Sequence, residues 1–197
     1  MYVSRKMARS LAQRLWDENG CKVFTVRLCV GNIAVSELRG MVDAKFRAWR
    51  VIASSHSVYT LRTYAGGLRK LFLRCDAASG SYEAYFYLVL ARPLPASAKS
   101  RAALHAALVT EKTREYIRWL SRWVTALGFF ESVSVDVAEC ATEAEIRAAV
   151  EQFCASADAG DEKQAPVIRE ATGKHRLVSL FGICAEVWRN RHVSVGR

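Results

Sequence analysis

Between residues 81 and 93 the chain reads SYEAYFYLVLARP, and its polar and apolar positions alternate. As a strand, this segment turns Tyr82, Ala84, Phe86, Leu88 and Leu90 to one face and Glu83, Tyr85, Tyr87 and Val89 to the other. Leu68 to Arg74 alternates as well and precedes it across CDAASGS, which predicts a hairpin closed at Arg92-Pro93. A first strand is expected over Val23 to Val30, with Phe24, Val26, Leu28 and Val30 on its apolar side. Another is expected over Val58 to Tyr64, one at ESVSVDV, and a last one at KHRLVSLFG.

Helical spacing fills the gaps between these runs. Residues 5–18 form one helix, and Ser36 caps another whose apolar stripe is Leu38, Met41, Val42, Phe46, Trp49 and Ile52. A long helix runs from about Ala98 to Leu127 and stops at Gly128, with Ile117, Leu120 and Val124 expected to face inward. Thr142 and Glu145 form a capping-box pattern that opens a helix to about Ala157. Ala159 to Pro166 reads as a polar loop, and a short helix carries Trp188. Strands interleaved with helices predict an α+β fold, an antiparallel sheet with helices packed on one face and the other face open. We read residues 1–197 as one domain: a basic helix over 1–20, a core over 22–187 and a basic tail over 188–197.

Charge sharpens this picture. The net charge is +10, yet residues 131–162 hold nine acids against Arg147 alone, so the rest of the chain carries +18. Between Arg39 and Arg74 eight basic residues face one acid, Asp43. Such a field attracts polyanions, of which nucleic acid is the commonest. Six cysteines never fall in a C-x-x-C pair and four histidines are scattered, which points away from a zinc module and toward reduced thiols in a cytoplasmic protein. No apolar run is long enough to span a bilayer, so no membrane partner is expected. If one sheet face is open, it shows Lys70, Phe72, Arg74, Tyr85 and Tyr87 with Arg27 and Thr25, a surface on which unpaired bases stack. If a helix covers that face, the same rings are ordinary core.

The hairpin segment GGLRKLFLRCDAASGSYEAYFYLVLA resembles that of the plasmid rolling-circle replication initiators, the Rep proteins of the HUH endonuclease superfamily. There a Gly-x-x-Arg-x-x-Glu strand precedes a strand with His-apolar-His. KVFTVRL, AVSELRGMVDAKFRAWRVI, IRWLSRWVTALG, VEQFCASAD and GKHRLVSLFGICAEV resemble further family segments in the family's order, together covering most of residues 22–187. The resemblance implies a ferredoxin/RRM-like Rep nuclease fold. It also implies where the chemistry would be, and there the chain departs. Glu83, Tyr85 and Tyr87 stand at the metal-binding histidines, Phe72 at the hairpin carboxylate, Phe153 at the attacking tyrosine, and Ser156 at the following lysine. No catalytic residue, metal ligand or cofactor is therefore expected.

These readings combine into a nuclease-dead Rep-like protein that binds nucleic acid, DNA in preference to RNA and single-stranded or hairpin DNA in particular, as a regulator or accessory factor of a plasmid, phage or other mobile element. Phosphates would be held by Arg27, Arg62, Arg69, Lys70, Arg74, Lys174 and Arg176 and by the Arg114/Arg118/Arg122 stripe, with Tyr85 and Tyr87 against bases. One alternative is an active initiator that nicks DNA through a tyrosine. Another is a protein-binding antagonist of a host nucleoprotein defence system, whose acidic 131–162 segment imitates nucleic acid toward a basic host or mobile-element protein.

Overall fold

Alternation sets the sheet, and in a computed structural model it extends further than the sequence marks. Residues 5–18, 20–54, 61–93, 101–129, 131–155, 164–173 and 175–193 are described, with side chains except those of residues 5, 62, 101–111 and 191–193. The elements are α1 (Arg5–Trp16), β1 (Cys21–Ile33), α2 (Leu38–Ser54), β2 (Gly66–Cys75), β3 (Tyr82–Pro93), α3 (Arg101–Leu127), β4 (Val133–Cys140), α4 (Glu143–Cys154), α5 (Ala165–Thr172), β5 (Val178–Gly182) and α6 (Ile183–Val193). They make an α+β fold with a five-stranded antiparallel sheet in the order β4-β1-β3-β2-β5.

The hairpin forms as its pattern dictates, with Leu71 opposite Phe86 and Phe72 opposite Tyr85. The α4 capping box is present in full: the Thr142 hydroxyl accepts from the Glu145 amide, and the Glu145 carboxylate accepts from the Thr142 amide. Three local expectations are corrected. Leu61–Thr63 is a 3₁₀ turn, so no strand runs to Tyr64, and residues 55–60 lie outside the described set. The loop placed over 159–166 gives way at Ala165 to α5, which begins with Pro166 in its first turn, a position that tolerates a missing amide. The last strand is shorter than KHRLVSLFG, because His175 to Leu177 precede it as irregular chain.

The larger correction concerns the layers. On one side of the sheet Phe24, Val26, Leu28, Leu71, Phe86, Leu88 and Leu90 are covered by α2, α3 and α5 through Phe46, Trp49, Trp119, Trp123 and Ile168. On the other side Leu68, Phe72, Tyr87 and Val89 are covered by α1, α4 and α6 through Leu11, Leu15, Val150, Phe153 and Cys184. Helices therefore lie on both faces, not one. The physical reason is that α1 and α4 each carry an apolar stripe of their own, and a stripe exposed to water loses roughly 1.5–3 kcal/mol per large side chain. The second sheet face is the surface that buries them.

The α3 helix is also rotated relative to the inward face expected for it. Glu115, Trp119 and Trp123 point into the core, whereas Ile117 is 59% exposed. Two tryptophans bury more apolar area than an isoleucine and a valine, and they set the rotation. Trp119 lies parallel to Trp49 with ring centroids 6.5 Å apart. The buried Glu115 carboxylate accepts hydrogen bonds from Tyr64 (2.6 Å), Arg118 (2.6 Å) and Arg92. That network fastens α3 to the end of β3.

β5 closes the sheet where backbone comes very near backbone. The Ile183 amide donates to the Ala65 carbonyl at 3.1 Å, and a Cβ on Gly66 would lie 2.7 Å from the Ile183 nitrogen. Gly182 sits at φ +54° against Ala65, where a side chain would be strained by conformation and blocked by contact.

Candidate nucleic-acid interface

The β3 face that carries the two tyrosines lies under α4, and Phe72, Tyr85, Tyr87 and Phe153 meet there, while Ser156 lies outside the described residues. Phe72, Tyr87 and Phe153 belong to one buried cluster, with Tyr85 packed at its edge. Phe72 is stacked on Tyr85 (5.2 Å, 10° between planes) and meets Tyr87 edge-on (6.2 Å, 86°). The Arg27 guanidinium lies 4.5 Å over the Tyr85 ring and 3.9 Å from Glu83. Because β3 lies between β1 and β2, Arg27 and Phe72 approach Tyr85 from opposite sides. Neither face of that ring is left for a base. Tyr87 and Phe72 are core, which corrects the expectation of a stacking platform.

Burial also sets the chemistry of the cluster. It pushes the Tyr87 phenol far above its ordinary range and raises that of Tyr85. It pushes the nearby Cys140 and Cys154 thiols up to about 11. At neutral pH these groups are neutral. A divalent metal would need carboxylate or imidazole donors. Among Phe72, Glu83, Tyr85 and Tyr87 only Glu83 offers one, and it lies beside Arg27. Among the described residues no group of three or more His, Cys, Asp or Glu is placed to hold a metal ion.

The proposed phosphate contacts divide by layer. Lys70 is buried, lies 4.8 Å over Phe72 and donates to the Ala155 carbonyl at the end of α4, so it anchors that helix instead of facing solvent. Arg69 points to the opposite face, buried against Phe46, Trp49 and Phe86 at about 5 Å, with its guanidinium donating to the Arg176 carbonyl at 2.9 Å. Both are corrections: a buried guanidinium or ammonium held by backbone carbonyls does not reach a phosphate. Arg118 and Arg122 are half-buried on α3, the former paired with Glu115, so Arg114 alone of that stripe is fully exposed. Arg74 is exposed, and with Glu83 it lines a shallow hollow of about 460 Å³ beside the hairpin turn. Arg176 is exposed at the outer layer. Lys174 and the Arg62 side chain lie outside the described residues.

Two features were not singled out from the sequence. Lys45 is 0% exposed, donates to the Leu28 carbonyl at 2.9 Å and lies 4.6 Å over the Trp123 ring. Burial lowers its pKa to about 7, opposed by the weaker influence of Cys29 and Glu83. Its place in the sequence was a signal, since it falls within the Val42–Phe46–Trp49 stripe. The other is the outer row of α2, where Arg39, Asp43, Arg47 and Arg50 recur at helical spacing. Asp43 meets His175 at 2.5 Å, and this hydrogen bond holds its carboxyl below the usual range. His175 in turn stacks on Phe46 at 4.1 Å.

All six cysteines are free thiols. Among the described residues no helix is long and apolar enough to cross a membrane. No protein-family model, no curated protein and no solved structure matches the chain.

Proposed function

We propose that this chain is a Rep-like nucleic-acid-binding protein, without nuclease chemistry, acting on the DNA of a plasmid, phage or other mobile element. One observation carries the reading. Phe153 of α4, remote in sequence from the β2–β3 hairpin, packs in the same cluster as Phe72, Tyr87 and the flanking Tyr85, and these four positions align with the family's metal ligands and nucleophile. The hairpin register by itself brings Phe72 to the two tyrosines, so the arrival of Phe153 from α4 is what supports the reading. The element run β1-α2-β2-β3-α3-β4 and its strand order β4-β1-β3-β2 support a ferredoxin-like sheet of the kind Rep domains use.

The same cluster supports the loss of cleavage. Phosphodiester nicking by this family needs an attacking phenol and a polarised phosphate. Phe153 offers no oxygen, and its neighbours are rings pressed against one another. Retained binding is supported by the net charge of +10 and by cations left exposed outside the cluster.

The test is a combined binding and cleavage assay with labelled single-stranded, duplex and hairpin DNA, with and without Mn²⁺, across a salt series. The expected result is salt-sensitive binding with neither a cut nor a covalent protein–DNA adduct. A tyrosyl adduct refutes the lost chemistry, and absence of binding to every substrate refutes the nucleic-acid reading itself.

A further inference from the structure

The two helical layers differ in charge. Over the aromatic cluster α4 presents Glu145 and Glu151 to solvent, with Glu143 beside them, and these carboxylates face any phosphate that approaches the hairpin from that side. The opposite layer is basic. There α2 lies between α5 and α3, and all three pack on the same sheet face. Arg39, Arg47 and Arg50 are exposed along α2, and among the described residues none of them has a carboxylate within ion-pair distance. Asp43, the single acid of that helix, is engaged by His175. The same contact brings the exposed Arg176 beside α2, while Arg114 is exposed on α3. Arg39 and Arg47 also help to hold the Asp43 carboxyl low, so among the described residues of α2 one acid stands against three arginines.

From this geometry we infer that the DNA-binding surface is the outer face of α2, flanked by α3 and α5, and that it grips the phosphate backbone of duplex DNA. The inference rests on the nucleic-acid reading above and relocates its site. From Arg39 to Arg50 the helix rises about 16 Å, a span along which a duplex presents roughly ten phosphate charges. Phe46 and Trp49, the aromatic residues of α2, are both turned into the core. A surface of arginines without exposed rings on the same row holds backbone and offers unpaired bases nothing to stack on. Binding is therefore expected to favour duplex over single strand, with little dependence on base sequence.

The test measures fluorescence anisotropy of the full chain with a short duplex and with its single strand across a KCl series. Arg47→Glu/Arg50→Glu is compared with Arg9→Glu/Arg147→Glu, which lowers net charge equally but on exposed positions of α1 and α4. The α2 variant is expected to lose at least about tenfold in duplex affinity and to flatten the log–log salt slope by about two units, whereas the control stays within about twofold. Equal losses in both variants, or tighter binding of the single strand by the wild type, overturn the inference while leaving nucleic-acid binding intact. No binding by the wild type to either DNA overturns both. Circular dichroism of the variants separates lost contact from lost fold.

Discussion

Replacing Lys45 by methionine is expected to stabilise the protein at neutral and mildly acid pH, by an amount that shrinks as pH rises. The side chain is wholly enclosed, with one backbone carbonyl and two aromatic rings for company, so its charge is taken out of water with little compensation. Its pKa falls from 10.5 to about 7. Between those values the unfolded chain binds more protons than the folded one, so this residue makes stability rise with pH. The distance between 10.5 and about 7 corresponds to roughly 5 kcal/mol, and the part crossed between pH 6.5 and 8.5 to about 2 kcal/mol. Methionine has a similar length and no charge. Against the relieved desolvation it loses a hydrogen bond of about 1 kcal/mol and a cation–π contact of about 1–2 kcal/mol. A net gain of about 2 kcal/mol at pH 6.5 is what remains. Urea unfolding of both proteins at pH 6.5, 7.5 and 8.5 provides the measurement. The buried thiols, such as Cys184 pushed up to about 12, give the opposite trend above pH 9, but they are common to both proteins and cancel in the difference. A difference that stays flat across that range would refute the claim that burial, not offset by an ion pair, depresses the Lys45 ammonium.

Four other outcomes follow from the packing. Tyr85→Ala is expected to leave DNA affinity within about twofold, because the ring is enclosed by Phe72 and Arg27, and a tenfold loss in anisotropy would restore it as a contact. Phe153→Tyr is expected to give no covalent adduct with Mn²⁺ and to cost about 1–3 kcal/mol in urea unfolding, since its hydroxyl enters an apolar cluster. Thr142→Ala removes the α4 cap and is expected to cost about 1 kcal/mol by the same method. Gly182→Ala is expected to cost well over about 1 kcal/mol and to release β5 first, which amide exchange at Ser179 to Phe181 reports.

Local pattern was legible wherever one periodicity dominated. The hairpin and the row of Tyr82, Ala84, Phe86, Leu88 and Leu90 follow from alternation, and the Thr142 cap follows from side-chain chemistry three residues apart. What one element's pattern does not contain is the demand made on it by another. The second face of β3 looked fit for solvent because tyrosine tolerates both water and core. Its cover was decided by the apolar stripes of α1, α4 and α6. Arg69 and Lys70 misled for a related reason: long stems let a cation enter a core when a carbonyl such as that of Arg176 or Ala155 waits at the end. The turn of α3 was set by Trp119 and Trp123, whose partners Trp49 and Phe86 lie many residues away. Of the candidate site, the shared face of Phe72, Tyr85 and Tyr87 was legible in strand alternation, the approach of Phe153 from α4 was not, and the basic row of α2 was written in plain helical spacing.

The cluster under α4 has a consequence for the protein's future as much as for its present. Phe72 touches both tyrosines, and Phe153 closes the same space, so each ring is the wall of its neighbour's pocket. A histidine or carboxylate installed at Tyr87 or Phe153 would arrive in the buried cluster, where its first effect is the loss of packing. Several changes would have to coincide before a polar group there had anything to do. In that sense the rings guard one another: a change to any one of them is felt first as lost packing by the rest.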